Sequence, residues 1–381
     1  MQGVTDPLVQ KYANKPKISS LGDKASMIFS LLGVSDEHDE NLRIFDENLE
    51  SNLILIHYFI LHPDLYHIRG IIIDLGEEKI VAGTFPYTEE FPPSDEKAKN
   101  IEVDKDTYVT TAYEGTILRM FRAPATGNWF LATHKKIDGR RSRWAGLTFG
   151  ETWQSIWGDF KYDDYLKHNL CYSFLLSDPS NRLVCDIPEL KLYHVGTFVE
   201  NSIRRVSQED WKILHPDVEL SLPIPDIKTN EDLLEKACDL NWRFCTGLLV
   251  NSPSGIFKLI PDNYLEMREL RGGEPNIRMR YLHLLTTKEA DKLRELLPEK
   301  VTYFDEIDDQ LKQIPYQLAD IYEARYVQKQ YMRLPREQFY VLENVHKGDN
   351  SVDIITRIKE VMSVSNPRQL NALIKYFILS Q

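Results

Sequence analysis

The sequence has few cysteines, and their spacing excludes several classes of protein. Its four thiols belong to Cys171, Cys185, Cys238 and Cys245. They form no C-x-x-C pair, and no histidine cluster accompanies them, whereas a disulfide framework or a cysteine zinc finger needs closely spaced pairs. We therefore expect reduced thiols and no metal site.

The sequence also lacks a long apolar segment. The first residues, MQGVTDPLVQKYANKPK, have no apolar core of the kind that a signal peptide carries. The most apolar run, residues 52–61, is interrupted by His57 and is too short to span a bilayer. These absences predict a cytoplasmic protein that makes no membrane contact.

Positive charge is scarce as well. The net charge of −12 and the isoelectric point near 5.4 argue against a protein coated in nucleic acid, although a local basic groove remains compatible with them. The chain has 381 residues, of which 42% are hydrophobic, so it can form two or three ordered domains with a sizeable core.

Apolar spacing divides the chain into three parts. Residues 1–60 have helix-like spacing, residues 61–274 contain short strands separated by turns, and residues 275–381 are again helix-like. The predicted C-terminal helices are 287–297, 306–325, 351–363 and 367–379. The expected fold is therefore α+β, with an N-terminal helical extension, a central domain of antiparallel sheets and a C-terminal all-helical domain.

Three predicted hairpins mark the central part. In each of them, two apolar strands flank a turn that is rich in glycine, proline, asparagine or charged residues. The predicted strand pairs are 71–73 with 80–82, 117–122 with 129–134, and 244–250 with 256–260, and residues 108–111 form a further strand.

The segments around these strands resemble, in order, the motifs of phage-type RNA ligases, the branch that includes the RNA ligase 1 of a T-even phage. The nucleophile motif of that family, threonine-lysine-x-aspartate-glycine-serine, is matched by TAYEGT at 111–116. Further matches are RGIII at 69–73, FPYTEEF at 85–91, YSF at 172–174, PSNRLV at 179–184, TGLLV at 246–250 and FKLI at 257–260. The resemblance covers roughly residues 65–270. It implies an ATP-grasp-like nucleotidyltransferase domain and, because degenerate relatives are expected in large DNA viruses, a viral source and the host cytoplasm.

The departures from the family pattern fall on its catalytic positions. Such ligases attack the α-phosphate of ATP with a lysine amine, and Ala112 stands where that lysine is expected. Ser173 and Thr246 replace two carboxylates, and Ile260 replaces one of two phosphate-binding lysines, which leaves Lys258. A Mg²⁺ site needs carboxylates or phosphates. The resemblance therefore implies a site that has lost its catalytic residues and takes no cofactor.

Lys136 is an alternative nucleophile. Residues 136–141 match lysine-x-aspartate-glycine-x-arginine, the motif of DNA ligases and related enzymes. In that interpretation Lys136 forms a lysyl-adenylate with ATP and Mg²⁺, and its amine lies in the cleft near Lys258. In the other interpretation, Lys136 ends a strand and Asp138-Gly139 makes a turn.

The same segment holds the only concentrated positive charge in the sequence. Its cationic side chains are Lys135, Lys136, Arg140, Arg141 and Arg143, followed by Trp144. Arginine makes bidentate contacts with phosphate, and tryptophan offers a stacking face for an unpaired base. The segment is therefore predicted to hold an RNA backbone, with a solvated loop neutralised by nearby acids as the alternative.

Three functions follow as hypotheses. The favoured one is a catalytically inactive module that binds an RNA end, an mRNA cap or a nucleotide in the former active-site cleft. There Lys258 contacts phosphate, and Glu114 accepts hydrogen bonds from a base or ribose. The second is an active ATP-dependent RNA ligase that uses Lys136. The third is a scaffolding subunit with a vestigial cleft, whose protein partner binds the C-terminal helical domain.

Overall fold

The computed structural model describes residues 12–144, 146–199, 202–204, 213–274, 276–348 and 351–379. The chain divides into two units, Met1–Leu265 and Glu266–Gln381. The first contains three β-sheets with helices, and the described part of the second is helical. This confirms the predicted α+β class with largely antiparallel sheets and C-terminal helices. The three-part division at residues 60 and 274 stays a prediction.

The strands are β1 (Leu42–Asn48), β2 (Leu53–Tyr58), β3 (Arg69–Asp74), β4 (Lys79–Ala82), β5 (Glu89–Phe91), β6 (Tyr108–Ala112), β7 (Thr116–Arg122), β8 (Trp129–Ala132), β9 (Cys171–Ser177), β10 (Lys191–Val199), β11 (Ser202–Arg204), β12 (Val218–Leu220), β13 (Gly247–Ser252) and β14 (Gly255–Leu259). The helices are α1 (Ala25–Leu32), α2 (Glu96–Lys99), α3 (Phe149–Trp157), α4 (Asn230–Cys238), α5 (Asp262–Arg271), α6 (Ile277–Thr287), α7 (Ala290–Leu296), α8 (Val301–Tyr322), α9 (Arg336–Lys347), α10 (Ile354–Ser363) and α11 (Pro367–Leu379).

The first sheet has the order β1-β2-β3-β4, and all of its pairs are antiparallel. Helix α1 covers one face, where Ile28 and Leu32 pack against Ile54 and Ile56. Side chains of the opposite face, including Leu55, pack with side chains of the second sheet. The first sheet is therefore buried on both sides.

The prediction of a helical extension over residues 1–60 is wrong for residues 42–58, which form β1 and β2. Residues 53–57 of β2 are all buried, because α1 lies on one face of the sheet and the second sheet on the other. A strand buried on both faces has no alternation of polar and apolar residues, so its sequence cannot be distinguished from a buried helix by periodicity.

The second sheet has the order β11-β10-β9-β7-β8, and β12 adds to β10 in parallel. Helix α3 begins at a capping box, in which Thr148 and Glu151 each bond to the other's main chain. Its Trp153 and Trp157 are stacked with ring centroids 5.2 Å apart and pack against the sheet. These two tryptophans, four residues apart, therefore share one helical face and belong to the core.

The third sheet has the order β5-β14-β13-β6, with β5 parallel to β14 and the other pairs antiparallel. Helices α2 and α4 cover it through Ala98, Leu233 and Ala237. The three predicted hairpins are confirmed as β3–β4, β7–β8 and β13–β14. Only residues 113–115 separate β6 of the third sheet from β7 of the second, so that short link joins the two sheets.

The second unit is built from α6–α11, and its aromatic core includes Tyr281 and Phe304, stacked at 4.4 Å. The four predicted C-terminal helices correspond to α7, α8, α10 and α11, whereas α6 and α9 were not predicted. Asn366 caps the start of α11, because the Gln369 amide donates to Asn366 Oδ1 at 3.0 Å. Among the described residues, no helix is both long and apolar enough to cross a membrane.

A buried histidine in the second sheet predicts acid sensitivity of folding. His194 is 0% exposed, and burial lowers its pKa from 6.5 to about 3. The folded state keeps this ring neutral while the unfolded state protonates it, so stability is complete above pH 6.5 and falls as the pH drops towards 3. We expect a loss of about 2 kcal/mol from this group between pH 6.5 and roughly pH 5.

The measurement is the free energy of unfolding in urea at both pH values for wild type and His194→Gln. Glutamine keeps a donor for the bonds that the ring nitrogen Nε2 makes to the Gly196 carbonyl and Thr197 Oγ1, but it does not titrate. The variant should lose less stability than wild type over this interval. Equal losses in the two proteins would contradict the assignment to His194.

Candidate functional site

Three of the four positions at which the sequence departs from the ligase pattern lie together at one end of the third sheet. Ala112 pairs with Gly247, and both the amide and the hydroxyl of Thr246 donate to the Ala112 carbonyl at 2.8 Å. A Cβ placed on Gly247 would lie 3.2 Å from Ile260 Cα, so Ile260 borders the same point. The order of motifs in the sequence thus corresponds to a real cluster in space.

Lys258, the remaining lysine of its pair, lies in the same sheet two residues before Ile260. It pairs with Leu249 in the β13–β14 register. Its amine donates to Glu90 Oε1 at 3.3 Å, and its side chain is 20% exposed. Lys258 therefore reaches the surface beside the cluster, where an anion would compete with Glu90 for its charge.

Ser173, the fourth position that departs from the ligase pattern, lies apart from the other three in the second sheet. It is 0% exposed in β9 and pairs with Arg119 of β7. Within the described part of the chain its hydroxyl has no hydrogen-bond partner. Ser173 is therefore a core position with no access to a solvent-filled cleft in this structure.

Glu114 has its carboxylate occupied by the main chain. Its side chain is buried and accepts hydrogen bonds from the amides of Leu183, Val184 at 2.9 Å and Cys185 at 3.1 Å. The Tyr264 hydroxyl adds a longer contact of 3.5 Å. Burial is the main cause that raises the pKa of the Cys185 thiol, and the negative charge of the Glu114 carboxylate raises it further. Because three amide donors occupy the carboxylate, we assign Glu114 a structural role instead of a contact with base or ribose.

These residues do not fit the covalent chemistry of an ATP-dependent ligase. Ala112 supplies no amine, the Thr246 hydroxyl is bonded to the main chain, and Ser173 is enclosed. The one acid of the nucleophile motif, Glu114, holds three amides and is unavailable to Mg²⁺. No catalytic step through ATP or Mg²⁺ follows from this arrangement.

The first residues of the predicted basic segment are held by protein partners. The Lys135 amine lies 4.4 Å from the ring centroid of Tyr12. Lys136 Nζ donates to Asp46 Oδ1 of the first sheet at 3.1 Å, and the side chain is 53% exposed. Arg140 bonds to Asp138 and donates to the Trp129 carbonyl at 2.6 Å. Lys136 and Lys258 are thus paired with acids of two different sheets.

The following residues form an exposed loop beside the TAYEGT segment (residues 111–116), here called the Trp144 loop (residues 141–147, described except for 145). Arg141, Arg143 and Leu147 are exposed, and Trp144 is 74% exposed. The indole Nε1 of Trp144 donates to Thr116 Oγ1 at 3.0 Å. Thr116 begins β7 directly after Gly115, so the loop is attached next to the segment that resembles the nucleophile motif.

Sequence reasoning missed a buried basic cluster between the first two sheets. Arg119 is 0% exposed and donates to the carbonyls of Gly70 and Thr133, and burial lowers its pKa to about 10. Burial and the charges of Lys135 and Arg69 lower the pKa of His57 to about 3. An arginine within a strand usually indicates a solvent-facing position, so no sequence signal marked Arg119 as internal.

No protein family model matches the chain. The chain is 24% identical over 365 residues to an immediate-early protein ICP-46 homolog of invertebrate iridescent virus 6, covering 82% of the chain and 77% of that relative. It is 25% identical over 250 residues to immediate-early protein ICP-46 of frog virus 3, covering 59% of the chain and 60% of that relative. A homolog from invertebrate iridescent virus 3 is 24% identical over 349 residues. These relatives are viral proteins.

Similar solved structures are ligases. An archaeal ATP-dependent RNA ligase aligns with a TM-score of 0.42 and 14% identity, over 98% of this chain and 81% of the ligase. A putative ATP-dependent DNA ligase from Aquifex aeolicus aligns with a TM-score of 0.41 and 13% identity, over 74% of this chain and 72% of that protein.

Proposed function

We propose that this chain is a catalytically inactive, RNA-ligase-like protein of viral origin that binds the end of a single-stranded RNA. The observation that carries the proposal is the hydrogen bond between Trp144 Nε1 and Thr116 Oγ1, at 3.0 Å. It anchors an exposed tryptophan and two exposed arginines beside the segment that replaces the nucleophile motif. An RNA strand on this loop would therefore point its end towards that segment.

The Trp144 loop has the chemistry that single-stranded RNA requires. The ring of Trp144 is largely open to solvent and can stack on an unpaired base. Arg141 and Arg143 flank it at the surface and supply guanidinium groups for phosphates. Because the net charge of the chain is −12, such binding depends on this local charge, not on the overall field. An mRNA cap or a free nucleotide is a smaller ligand for the same ring.

The enzyme hypothesis has less support. It requires the Lys136 amine to lie in the cleft near Lys258, but that amine is paired with Asp46 at 3.1 Å and is about half exposed. Lys258 and its partner Glu90 both belong to the third sheet, whereas Asp46 belongs to the first. We therefore expect no lysyl-adenylate. The protein partner that the sequence predicts for the C-terminal helical domain stays a prediction, since single exposed side chains there, such as Tyr331, are common on monomers.

The test is fluorescence anisotropy with a 5′-phosphorylated single-stranded RNA at low salt, where phosphate contacts are strongest. We expect Trp144→Ala to weaken binding by about 5- to 150-fold, because stacking contributes roughly 1–3 kcal/mol per base. We expect Arg141→Ala/Arg143→Ala to weaken binding and to reduce the slope of log K against log salt by up to about 1.4. Competition with capped RNA and with free nucleotides then shows which of these ligands binds most tightly.

The matched control is Lys292→Ala/Lys347→Ala, which removes two exposed positive charges from the helical unit. It should bind RNA like wild type. In parallel, incubation with labelled ATP or GTP and Mg²⁺ or Mn²⁺ should give no covalent band on a denaturing gel. Absence of RNA binding at low salt, or equal binding by the loop variants, would refute the RNA proposal. A band that disappears in Lys136→Ala would establish the enzyme instead.

A further inference from the structure

Two histidines and an aspartate converge outside the site described above. His38 belongs to a 3₁₀ turn, Asp36–Asn41, that leads into β1. His62 and Asp64 belong to the turn that follows β2, where a second 3₁₀ segment covers Pro63–Leu65. One nitrogen of each ring and one carboxylate oxygen all lie within 4.8 Å of one another. Two segments that are distant in sequence thus present three potential metal ligands to one point.

The distances match those of a tetrahedral metal site. His38 Nε2 lies 3.6 Å from Asp64 Oδ2, and His62 Nδ1 lies 3.4 Å from the same oxygen. Ligands that bind Zn²⁺ at about 2.0–2.2 Å in a tetrahedron are separated by roughly 3.4 Å. The two imidazole rings have centroids 5.1 Å apart. Two edges of a tetrahedral site therefore already have the required length, and the two ring nitrogens lie within 4.8 Å of each other.

The main chain holds the two turns together without any ion. The amides of Phe59 and Ile60 both donate to the Asn41 carbonyl, at 2.6 Å and 3.3 Å. These bonds fix the segment after β2 against the end of the turn that carries His38. The fold therefore brings the two segments that carry the ligands next to each other.

We propose that His38 Nε2, His62 Nδ1 and Asp64 Oδ2 bind one divalent transition-metal ion, with Zn²⁺ chemistry. Imidazole nitrogen with carboxylate oxygen is a donor set that suits zinc, and three protein ligands leave a fourth position for water. His38 is partly buried and the other two residues are exposed, so the ion has access from solvent. Bound metal would clamp the turn before β1 to the turn after β2. The expectation of no metal rested on the cysteines, which take no part here.

The test uses full-length protein without an affinity tag, because a histidine tag would bind the same ions. Isothermal titration with Zn²⁺, and the visible absorption of added Co²⁺, should both show one site per chain. His62→Ala and His38→Ala should each weaken binding by more than the 10–100-fold that outer partners of metal ligands contribute. Saturating Zn²⁺ should raise the Tm of wild type but not of the variants.

The matched control is His168→Ala, which removes an exposed histidine that is also paired with an aspartate, Asp163, at 2.9 Å. It should bind Zn²⁺ like wild type. Asp64→Asn provides a milder second variant, and it should weaken binding while leaving the far-ultraviolet circular dichroism unchanged. Absence of stoichiometric binding by wild type, or equal affinity in His62→Ala and wild type, would overturn the proposal.

Discussion

Replacing Glu114 with alanine is expected to destabilise the first unit by about 3 kcal/mol, because it leaves buried amides without an acceptor. The amides of Val184 and Cys185 belong to residues that are 0% and 2% exposed, so water cannot replace the carboxylate at those two donors. Leu183 is 49% exposed, and its amide can recover a bond to solvent. The effect should therefore come mainly from two unsatisfied donors.

Glu114→Gln separates the loss of the acceptor from the loss of charge. One amide oxygen can still accept from Val184 and Cys185, while the new NH₂ group faces the Leu183 amide. We expect this variant to lose about half as much stability as Glu114→Ala. All six tryptophans precede residue 265, so tryptophan fluorescence during urea unfolding follows the first unit.

Glu235→Ala is the control, since Glu235 is an exposed residue of α4 and its loss should change stability by less than about 0.5 kcal/mol. Near-wild-type stability of Glu114→Ala would show that the carboxylate does not hold the 183–185 segment. If Glu114→Gln also bound RNA like wild type, the direct ligand contact first predicted for Glu114 would be excluded independently of stability.

Gly247→Ala is expected to disrupt the third sheet, with a loss above about 3 kcal/mol. Gly247 has φ of +150°, and an added Cβ would lie 2.0 Å from the Leu259 carbonyl oxygen. That oxygen belongs to the main chain of β14, so it cannot rotate away as a flexible side chain would. The strand pairing that brings Ala112, Thr246 and Ile260 together should therefore open at this point.

Circular dichroism and urea unfolding test this expectation, and Gly273→Ala is the control. An added Cβ on Gly273 would meet no atom within 4 Å, so that variant should fold like wild type. Recovery of Gly247→Ala only as unfolded or aggregated protein would also support this expectation. A soluble variant with wild-type stability would mean that β13 and β14 are not in contact at this residue.

Local sequence patterns were sufficient for the hairpins but not for the environment of single side chains. Turn residues such as Asn251 to Gly255 were sufficient to predict the β13–β14 hairpin, because short turns have few allowed conformations. The order of motifs also indicated that Ala112, Thr246 and Ile260 belong together. Nothing local indicated that Glu114 would bind amides almost seventy positions later, because such contacts depend on how sheets pack.

The same reason explains the errors at the N-terminal end of the chain. The apolar run of β2 is buried between a helix and a second sheet. Only the tertiary structure shows that both faces of this strand are buried. His38 and His62 likewise become neighbours through the β1–β2 pairing. Lys136 could be identified as a cation of a lysine-rich turn, but its ion pair with Asp46 depends on the first sheet.

The pairing of Ala112 with Gly247 affects how the sequence of such a protein can evolve. The hydrogen bonds that join β6 to β13 at this point use the Ala112 carbonyl and the main chain of its neighbours, together with the Thr246 hydroxyl. The side chain at residue 112 contributes no hydrogen bond to them. Selection for folding alone would therefore preserve the sheet and leave residue 112 open to drift.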